Sequence, residues 1–263
     1  MTPSSGTGGT AALGSQDLHV HTTMSDGEVP LEEVVRLAAE RGVRVGIADH
    51  VSTRNPERFV ATDRQLREYL RAIEPHDVFR AAEFCWCDPL SADLPHEIMD
   101  RFDYRIGSNH GFSLPDGTWG SPWWNSLPEP WNSRPRELME HMVSNLCDLV
   151  GSMPIEIVAH STFMPAALLK MENDVHAWWT EEREDRFIEA VVANGVALEI
   201  SNRYRLPHDR LLRKAKEAGA RFSLGSDAHR ADQVARLDWA VETARRVGIG
   251  EDDMFVPEER RRR

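Results

Sequence analysis

The sequence predicts an α/β fold in which parallel strands alternate with helices. Seven short strand-like runs follow one another along the chain, helical stretches separate them, and no linker divides the series. Such alternation is typical of parallel strands with helices packed outside them. Because seven strand–helix units fit into roughly 230 residues, we expect a distorted seven-stranded, TIM-like (β/α)7 barrel rather than an open doubly wound sheet.

Each strand–helix unit has its own sequence pattern. The predicted strands are QDLHVH, VRVGIADH, DVFRAAEFCW, YRIGSNH, IEIVAH, VALEIS and RFSLGSDAH. In the first helical stretch, PLEEVVRLAAERG, the side chains of Leu31, Val34 and Ala38 fall on one face, as an amphipathic helix requires. The same periodicity predicts a helix around Leu70, helices through RELMEHMVSNLCDLV, DRFIEAVVANG and DRLLRKAKEAG, and a last helix from about residue 231 to residue 247.

The chain of 263 residues is expected to hold one large domain. We predict a flexible leader at 1–16, a single folded domain at 17–250 and a charged tail at 251–263. Three cysteines give no disulfide framework, and no run approaches the ~18 apolar residues of a membrane span. The first residues lack the basic and apolar regions of a signal peptide. A cytoplasmic protein is therefore expected.

The charge balance argues against two classes of partner. There are 31 Lys and Arg against 43 Asp and Glu, which gives a net charge of −12. Such a chain has no overall attraction for nucleic acids or anionic membranes, so we expect neither a long nucleic acid nor a membrane as a partner. A small anionic substrate remains compatible, because bound divalent cations reverse the local field.

Histidines concentrate at the ends of the predicted strands. Of the 11 histidines, six lie at or just past the C-terminal end of a strand, namely His19, His21, His50, His110, His160 and His229. Carboxylates occupy equivalent places, namely Asp26, Asp49, Glu83 and Asp227. The C-terminal ends of barrel strands meet at one mouth, where active sites lie. This concentration of imidazoles and carboxylates predicts a metal site there.

The motifs that carry these residues resemble the polymerase and histidinol phosphatase (PHP) superfamily of metal-dependent phosphoesterases. In order along the chain they are DLHVHTTMSDG, IADH, the Glu of RAAEF, IGSNH, IVAH, LEIS and LGSDAH. The resemblance spans residues 17–229 and implies a barrel with a cluster of metal ions at its mouth, commonly three. It implies the ligand sets His19, His21, Glu83 and Asp227 for one ion, Glu83, His110 and His160 for a second, and Asp26, His50 and His229 for a third.

The resemblance also implies the chemistry. Two to three divalent ions, zinc, manganese or iron, suit this mixed ligand set, while Asp17 and Asp49 are expected to fix ligand tautomers. A metal-bridging hydroxide would attack phosphorus, with Glu83 joining two ions and Asp227 or His229 as candidates for protonating the leaving oxygen. The expected protein is a phosphomonoesterase acting on histidinol phosphate or another small metabolite phosphate. The alternatives left open are a nucleotide or short-oligonucleotide phosphodiesterase or exonuclease, a non-catalytic PHP module, and an amidohydrolase.

Substrate contacts are predicted in loops that follow the strands. In EISNRYRLPHD, the guanidinium groups of Arg203 and Arg205 are candidates for binding a phosphate in bidentate geometry, although either can instead pair with a surface carboxylate. Two long loops, 112–134 and 161–182, carry six of the eight tryptophans. These loops are expected either to wall the substrate cavity or to pack onto the barrel.

Overall fold

The computed structural model describes residues 12–90 and 94–257. Their strands are β1 (Gln16–Val20), β2 (Arg44–Ile47), β3 (His50–Val51), β4 (Phe79–Arg80), β5 (Glu83–Cys85), β6 (Ile106–Ser108), β7 (Phe112–Ser113), β8 (Trp119–Gly120), β9 (Ile157–Val158), β10 (Ala197–Ser201) and β11 (Phe222–Gly225). Their helices are α1 (Leu31–Glu40), α2 (Asp63–Ile73), α3 (His96–Met99), α4 (Pro135–Ser152), α5 (Ala166–Met171), α6 (Val175–Trp178), α7 (Glu181–Ala193), α8 (Asp209–Glu217) and α9 (Asp238–Arg246). A short 3-10 turn covers Glu251–Asp253.

The strands are parallel except for the small hairpin of β7 and β8. One sheet has the order β1-β2-β4, and a second has the order β3-β5-β6-β9-β10-β11. Each of the two predicted strands VRVGIADH and DVFRAAEFCW is divided into two segments, β2 and β3 in the first and β4 and β5 in the second. The predicted α/β class with parallel strands is confirmed.

A buried tyrosine fills the place where these two strands divide. The hydroxyl oxygen of Tyr69, on α2, lies 2.9 Å from the carbonyl oxygen of Ile47 and 2.7 Å from that of Ala81. The same oxygen accepts a hydrogen bond of 3.3 Å from the backbone N–H of Asp49. The carbonyl of Ile47 also accepts the N–H of Ala81 at 3.0 Å, so the single hydroxyl proton of Tyr69 can serve the Ala81 carbonyl. Because buried backbone groups need partners, the Tyr69 hydroxyl lets both strands bend without leaving these groups unsatisfied.

Hydrogen bonds also join the first and last strands of the series. The N–H of Asp227 donates to the carbonyl of His19 at 2.8 Å, and the N–H of His21 donates to that of Ala228 at 3.0 Å. Val20 and Ala228 form a parallel bridge. If β2 with β3, and β4 with β5, are counted as single strands, the seven strands are neighbours in sequence order. The closed barrel stays a prediction, and these bonds support it.

The apolar core lies on both sides of the strands. One small cluster takes its residues from successive strands and their immediate flanks, namely Leu18, Ala48, Phe79, Ala81, Tyr104, Ile106, Ile157, Ala159 and Ala197. Two larger clusters pack the strands against the helices. The core therefore holds the strands from both faces and leaves their C-terminal ends for the polar residues.

The predicted helix at about 231–247 is wrong in its first half, because α9 begins only at Asp238. The side-chain oxygen of Gln233 accepts a hydrogen bond of 2.9 Å from the N–H of His229. Ala235 has a φ of 55°, and its N–H donates to the carboxylate of Asp17 at 3.0 Å. Local bonds from these polar side chains replace the helical ladder, so the segment folds back toward the strand ends.

The two chain ends differ in what the structure describes. Residues 1–11 of the predicted leader and residues 258–263 of the predicted tail lie outside the described residues. Within the stretch assigned to the tail, the N–H of Phe255 donates to the carbonyl of Phe222 at 2.7 Å, and the Phe255 ring lies 6.0 Å from that of Tyr104. The segment at 251–257 thus lies along β11. Throughout the described chain, no helix has the length and apolar character needed to cross a membrane.

A buried carboxylate joins α7 to α8. Glu184 is fully buried, and both of its oxygens accept hydrogen bonds of 3.0 Å from Nε of Arg210. His208 Nε2 lies 2.6 Å from Glu184 Oε1, and Lys214 Nζ lies 3.5 Å from Oε2. The possible ligand atoms of Glu184, His208 and His176 lie close enough together to hold a cation. However, the positive charges of Arg210 and Lys214 oppose a cation, so we assign the group a structural role.

Replacing Glu184 with Gln is expected to lower the free energy of unfolding by about 2 kcal/mol at pH 7, because Arg210 loses its charged partner. Burial alone would raise the pKa of Glu184, but Arg210 and His208 outweigh it and lower this pKa below the ordinary 4.5. The stabilisation is therefore fully present above pH 4.5 and is lost as the pH falls through the lowered pKa, so the difference between the variant and the wild type should shrink as the pH falls below 4.5. Urea unfolding at pH 7 and at a series of pH values below 4.5 measures this.

The exposed Glu189 on the same helix supplies the control. Glu189→Gln is expected to change the free energy of unfolding by less than about 0.5 kcal/mol. Equal losses in the two variants would contradict the role assigned to Glu184.

Candidate metal centre

The first group of donors is built on β1. Residues two apart in a strand point to the same face, and the Nε2 atoms of His19 and His21 lie 3.0 Å apart. His21 Nε2 lies 3.4 Å from Asp227 Oδ1 and 3.5 Å from Glu83 Oε2, and His19 Nε2 lies 3.4 Å from the same Glu83 oxygen. Ligands about 2.1 Å from a tetrahedral ion lie about 3.4 Å from one another. The four side chains therefore have the spacing of a metal shell.

The second group uses the other oxygen of Glu83. Glu83 Oε1 lies 3.3 Å from Nε2 of His110 and 3.1 Å from Nε2 of His160. The two oxygens of one carboxylate thus face two different sets of imidazole nitrogens. This is the arrangement of a carboxylate that bridges two ions.

The third group lies on the other side of His21. Asp26 Oδ1 lies 3.5 Å from His50 Nε2 and 3.3 Å from His229 Nε2. His21 Nδ1 is 3.7 Å from the same oxygen. Asp26 Oδ1, His21 Nδ1 and His50 Nδ1 are buried and make no hydrogen bond within the described residues, although His50 Nδ1 lies 2.9 Å from Glu83 Oε2. Buried polar atoms without partners are costly, and a cation bound beside Asp26 would satisfy its Oδ1 and His21 Nδ1.

Protonation states follow from burial and from the neighbouring charges. Burial lowers the pKa of His21 and that of His110 to about 3. Burial also opposes the charged form of His19, but the carboxylates of Glu199 and Glu83 outweigh it and raise the pKa of His19 well above 6.5. Burial would raise the pKa of Glu83, yet the imidazoles around it hold this pKa well below 4.5. Ionised Glu83 and neutral His21 and His110 are the forms that bind metal.

Two of the donor residues have an unusual backbone. His160 has a φ of 29° and Asp227 a φ of 50°, a region that residues other than glycine rarely adopt. Each such residue costs of order 1–3 kcal/mol and persists where the surroundings fix it, commonly at functional sites. Both residues lie two positions past the end of a strand, so the left-handed turn directs their side chains across the strand ends.

Sequence reasoning identified the LEIS motif but assigned no role to its glutamate, Glu199. Its Oε1 lies 2.6 Å from His19 Nδ1, and its Oε2 accepts a hydrogen bond of 2.7 Å from the N–H of His160. Gly225 makes room for it, because a Cβ at that position would lie 2.2 Å from Glu199 Oε1. Glu199 thus orients His19 so that Nε2 faces the metal group. A buried carboxylate within an apolar strand was the available signal.

Asp17 and Asp49 were expected to fix ligand tautomers, and this is wrong. The carboxylate of Asp17 accepts backbone N–H groups, including that of Ser226 at 2.8 Å. Asp49 accepts the N–H and the hydroxyl of Thr22, each at 2.8 Å, and the hydroxyl of Ser25 at 2.5 Å. Both aspartates therefore stabilise the loops that carry the donors. Their oxygens accept hydrogen bonds from backbone amides and hydroxyls of these loops rather than from imidazoles.

Seven of the nine donor residues line one cavity of about 630 Å³, and His19 and His21 lie behind them. Arg203 lies in its wall, and one of its terminal nitrogens is 3.4 Å from Asp227 Oδ1 and also contacts His229 Nδ1. Arg205 is exposed at a tight turn with a φ of 55° and is not among the residues that line the cavity. The cavity therefore supports a substrate role for Arg203 and does not support one for Arg205.

The tryptophan-rich loops both line the cavity and pack against the core. Trp119 and Trp123 line the cavity, and the Trp123 ring lies 5.3 Å from that of His110. In contrast, the side chains of Trp131, Trp178 and Trp179 are buried in the core. The first loop therefore contributes to the cavity wall, while the second mainly packs the structure.

An α/β fold with convergent imidazole and carboxylate groups at its strand ends defines a class of metal-binding proteins. Residues 17–203 match the family model described as the PHP domain, so the chain belongs to the PHP domain family. The predicted resemblance is confirmed. A search of curated proteins finds no match.

Two solved structures share the fold. The first is the histidinol phosphate phosphatase of Lactococcus lactis subsp. lactis Il1403, solved in complex with zinc, L-histidinol and phosphate. It has a TM-score of 0.68 and 19% identity, over 93% of this chain and 95% of the other. The second is a protein assigned as a histidinol phosphatase, from Listeria monocytogenes, with a TM-score of 0.65 and 14% identity over 84% of this chain and 97% of the other.

Replacing Glu199 with Gln is expected to weaken zinc binding about 10–100-fold. The two donors reach different oxygens of Glu199, and Gln has an acceptor oxygen at only one of these positions, so one of the two hydrogen bonds is lost. Competition with a chromophoric chelator measures the zinc affinity.

Glu156→Gln serves as the matched control, since Glu156 is a partly buried carboxylate that pairs with Arg105 instead. Unchanged zinc affinity in Glu199→Gln would show that His19 is oriented without Glu199.

Proposed function

We propose that the protein is a metal-dependent phosphomonoesterase that hydrolyses a small phosphorylated metabolite in this cavity. The observation that carries the proposal is the division of Glu83, whose two oxygens face two donor groups at 3.1–3.5 Å, next to a third group that contains Asp26. Clustered divalent ions, when bound, lower the pKa of water and bind the oxygens of a phosphate ester. Membership of the PHP family supports this chemistry.

The residues of the proposed centre have separate tasks. His19, His21, Glu83 and Asp227 would hold one ion, Glu83, His110 and His160 a second, and Asp26, His50 and His229 a third. The zinc in the Lactococcus lactis structure favours zinc over manganese or iron. A non-catalytic module would have no need to keep all of these donors buried and converging, so we favour an enzyme.

Arg203 is proposed to bind the phosphate. The carbonyl oxygen of Asp227 lies 3.0 Å from His229 Nδ1, and a terminal nitrogen of Arg203 contacts the same Nδ1. The two groups therefore compete for this atom. The carbonyl can accept only when Nδ1 carries the proton, and that tautomer leaves His229 Nε2 free to bind a metal. One terminal nitrogen of Arg203 keeps the Asp227 carbonyl as its acceptor at 3.1 Å, and the other N–H groups of the guanidinium can donate to a substrate. A phosphate accepts from these groups, and the planar guanidinium can form two parallel bonds.

Asp227 and His229 remain the candidates for protonating the leaving oxygen, because both also line the cavity. The aromatic wall and the enclosed volume favour a small ester over a long polynucleotide, and the net charge of −12 agrees with this. A phosphomonoester is therefore preferred to an oligonucleotide as the substrate. A cytoplasmic location is proposed because all three cysteines are free, as is usual in a reducing compartment.

Removal of metal with a chelator is expected to abolish phosphate release from p-nitrophenyl phosphate, and zinc should restore it. His110→Ala removes a donor facing Glu83 and should lower kcat/KM by at least about a hundredfold, the scale of losing one electrostatic contact to the reacting group. Elemental analysis should show less zinc in this variant.

The control is His96→Ala, because His96 is exposed on α3; both its activity and its zinc content should match the wild type. Full activity in the metal-free protein would rule out the proposed chemistry.

Arg203→Met should reduce kcat/KM about a hundredfold, and Arg203→Lys should recover only part of this loss, because an ammonium keeps the charge but not the planar fork. Zinc content should stay the same in both variants. Arg205→Met, assayed in parallel, distinguishes the two predicted arginines: a comparable loss there would contradict the assignment of the phosphate contact to Arg203.

A further inference from the structure

The rim of the cavity is basic once the proposed metal ligands are set aside. The other charged residues of its lining are four arginines and one glutamate, namely Arg54, Arg58, Arg203, Arg230 and Glu28. This contrasts with the net charge of −12 for the whole chain. A local excess of positive charge at a cavity mouth attracts anionic ligands.

Arg54 is held in place before any substrate binds. Its guanidinium carbon lies 3.7 Å from the centre of the Trp119 ring, and one terminal nitrogen donates to the carbonyl of Cys87 at 3.1 Å. Within residues 12–90 and 94–257, no carboxylate forms an ion pair with it. Stacking on an aromatic ring leaves the guanidinium edge free to donate, and a preorganised side chain loses less entropy on binding.

The loop that carries Arg54 is itself fixed. The carboxylate of Asp88 accepts hydrogen bonds from the hydroxyl of Ser52 at 2.8 Å and from the N–H of Thr53 at 2.9 Å. Arg58 follows in the same loop, and one of its terminal nitrogens lies 3.9 Å from Asp26 Oδ2. Two arginines of one anchored loop thus face the cavity beside the metal centre.

The other two arginines already have partners. Arg230 forms two contacts of 3.2 Å with Asp232, which neutralise its charge, and Arg203 lies against Asp227 and His229. The contact of Arg58 with the Asp26 carboxylate is longer, at 3.9 Å. Arg54 and Arg58 therefore supply the rim charge that no close carboxylate neutralises among the described residues.

We propose that the substrate carries a second anionic group, a carboxylate or a phosphate, which Arg54 and Arg58 bind while the scissile phosphate occupies the metal centre. This inference rests on the proposed phosphatase function. It separates this protein from a phosphatase for a cationic amino alcohol such as the L-histidinol in the Lactococcus lactis structure, whose ammonium would meet two guanidinium groups of like charge. The structure thus points to a phosphate ester that carries a further carboxylate or phosphate group as the substrate class.

The test compares matched esters on the zinc-loaded full-length protein. The probes are 3-phosphoglycerate, which adds a carboxylate, glycerol 1,3-bisphosphate, which adds a second phosphate, glycerol 3-phosphate, which adds neither, and ethanolamine phosphate, which adds an ammonium. We expect kcat/KM for at least one anionic probe to exceed that for glycerol 3-phosphate about tenfold, with ethanolamine phosphate the poorest. Whichever anionic probe is preferred identifies the second group as a carboxylate or a phosphate.

Variants locate the preference. Arg54→Met and Arg58→Met keep much of the side-chain stem, and each should reduce the ratio of anionic to neutral turnover about fivefold. Turnover of glycerol 3-phosphate should change much less. Arg71→Met is the control, since Arg71 is exposed on α2 and does not line the cavity; it should leave the ratio unchanged.

The outcomes separate this inference from the proposed function. If ethanolamine phosphate is the best probe, or if Arg54→Met lowers all turnovers equally, the second anion site is wrong and the phosphatase stands. If no probe releases phosphate, the proposed function fails. Calorimetric dissociation constants then test the rim alone, and equal values for 3-phosphoglycerate and glycerol 3-phosphate would overturn the anion site.

Discussion

The buried carboxylate of Glu83 is the constraint on which the rest of the site depends. Its two oxygens face different imidazole groups at 3.1–3.5 Å, and the side chain is 1% exposed. An ionised carboxylate so deeply buried is costly unless its charge is compensated. The surrounding imidazoles compensate it in part, and bound cations would complete the compensation. The bend between β4 and β5, just before Glu83, brings this carboxylate to the centre of the strand ends.

A second set of carboxylates stabilises the site without entering it. Asp17 and Asp49 bind backbone amides and hydroxyls of the loops that carry Asp227 and Asp26, whereas Glu199 joins His19 to the backbone of His160. Loops held in this way can keep the strained backbone of His160 and Asp227 in place. The precision of the donor spacing therefore comes from main-chain contacts as much as from the donors themselves.

The convergence of the strand-end imidazoles and carboxylates could be predicted from the sequence because strand geometry determines it, whereas their division into ligand sets came from the family resemblance. Residues such as His19 and His21 must share a face, and residues at the ends of parallel strands must meet. The role of Glu199 could not be predicted, since Glu199 of β10 reaches His19 of β1 through the space above Gly225 of β11, and these strands adjoin only in the folded chain. The turn before α9 was missed for a similar reason: its helical periodicity is real, but Gln233 and Asp17 bond to its backbone instead. The stacking of Arg54 on Trp119 joins residues that lie 65 positions apart in the sequence, and no local pattern indicates it.

Residues at the strand ends and residues in the surrounding loops therefore differ in how freely they can be substituted. The donors lie at strand ends, where one displaced side chain disturbs several distances near 3.4 Å at once, because neighbouring groups share Glu83 and His21. Arg54 and Arg58 lie in a loop and Trp119 lies in the small hairpin strand β8, and the stacking of Arg54 on Trp119 involves no metal donor. A change at Arg54 or Arg58 can therefore alter which ester enters without altering the metal shell. On this basis, structural similarity to a histidinol phosphate phosphatase and a different substrate are compatible, since the similarity resides in the strands and the substrate preference in the loops.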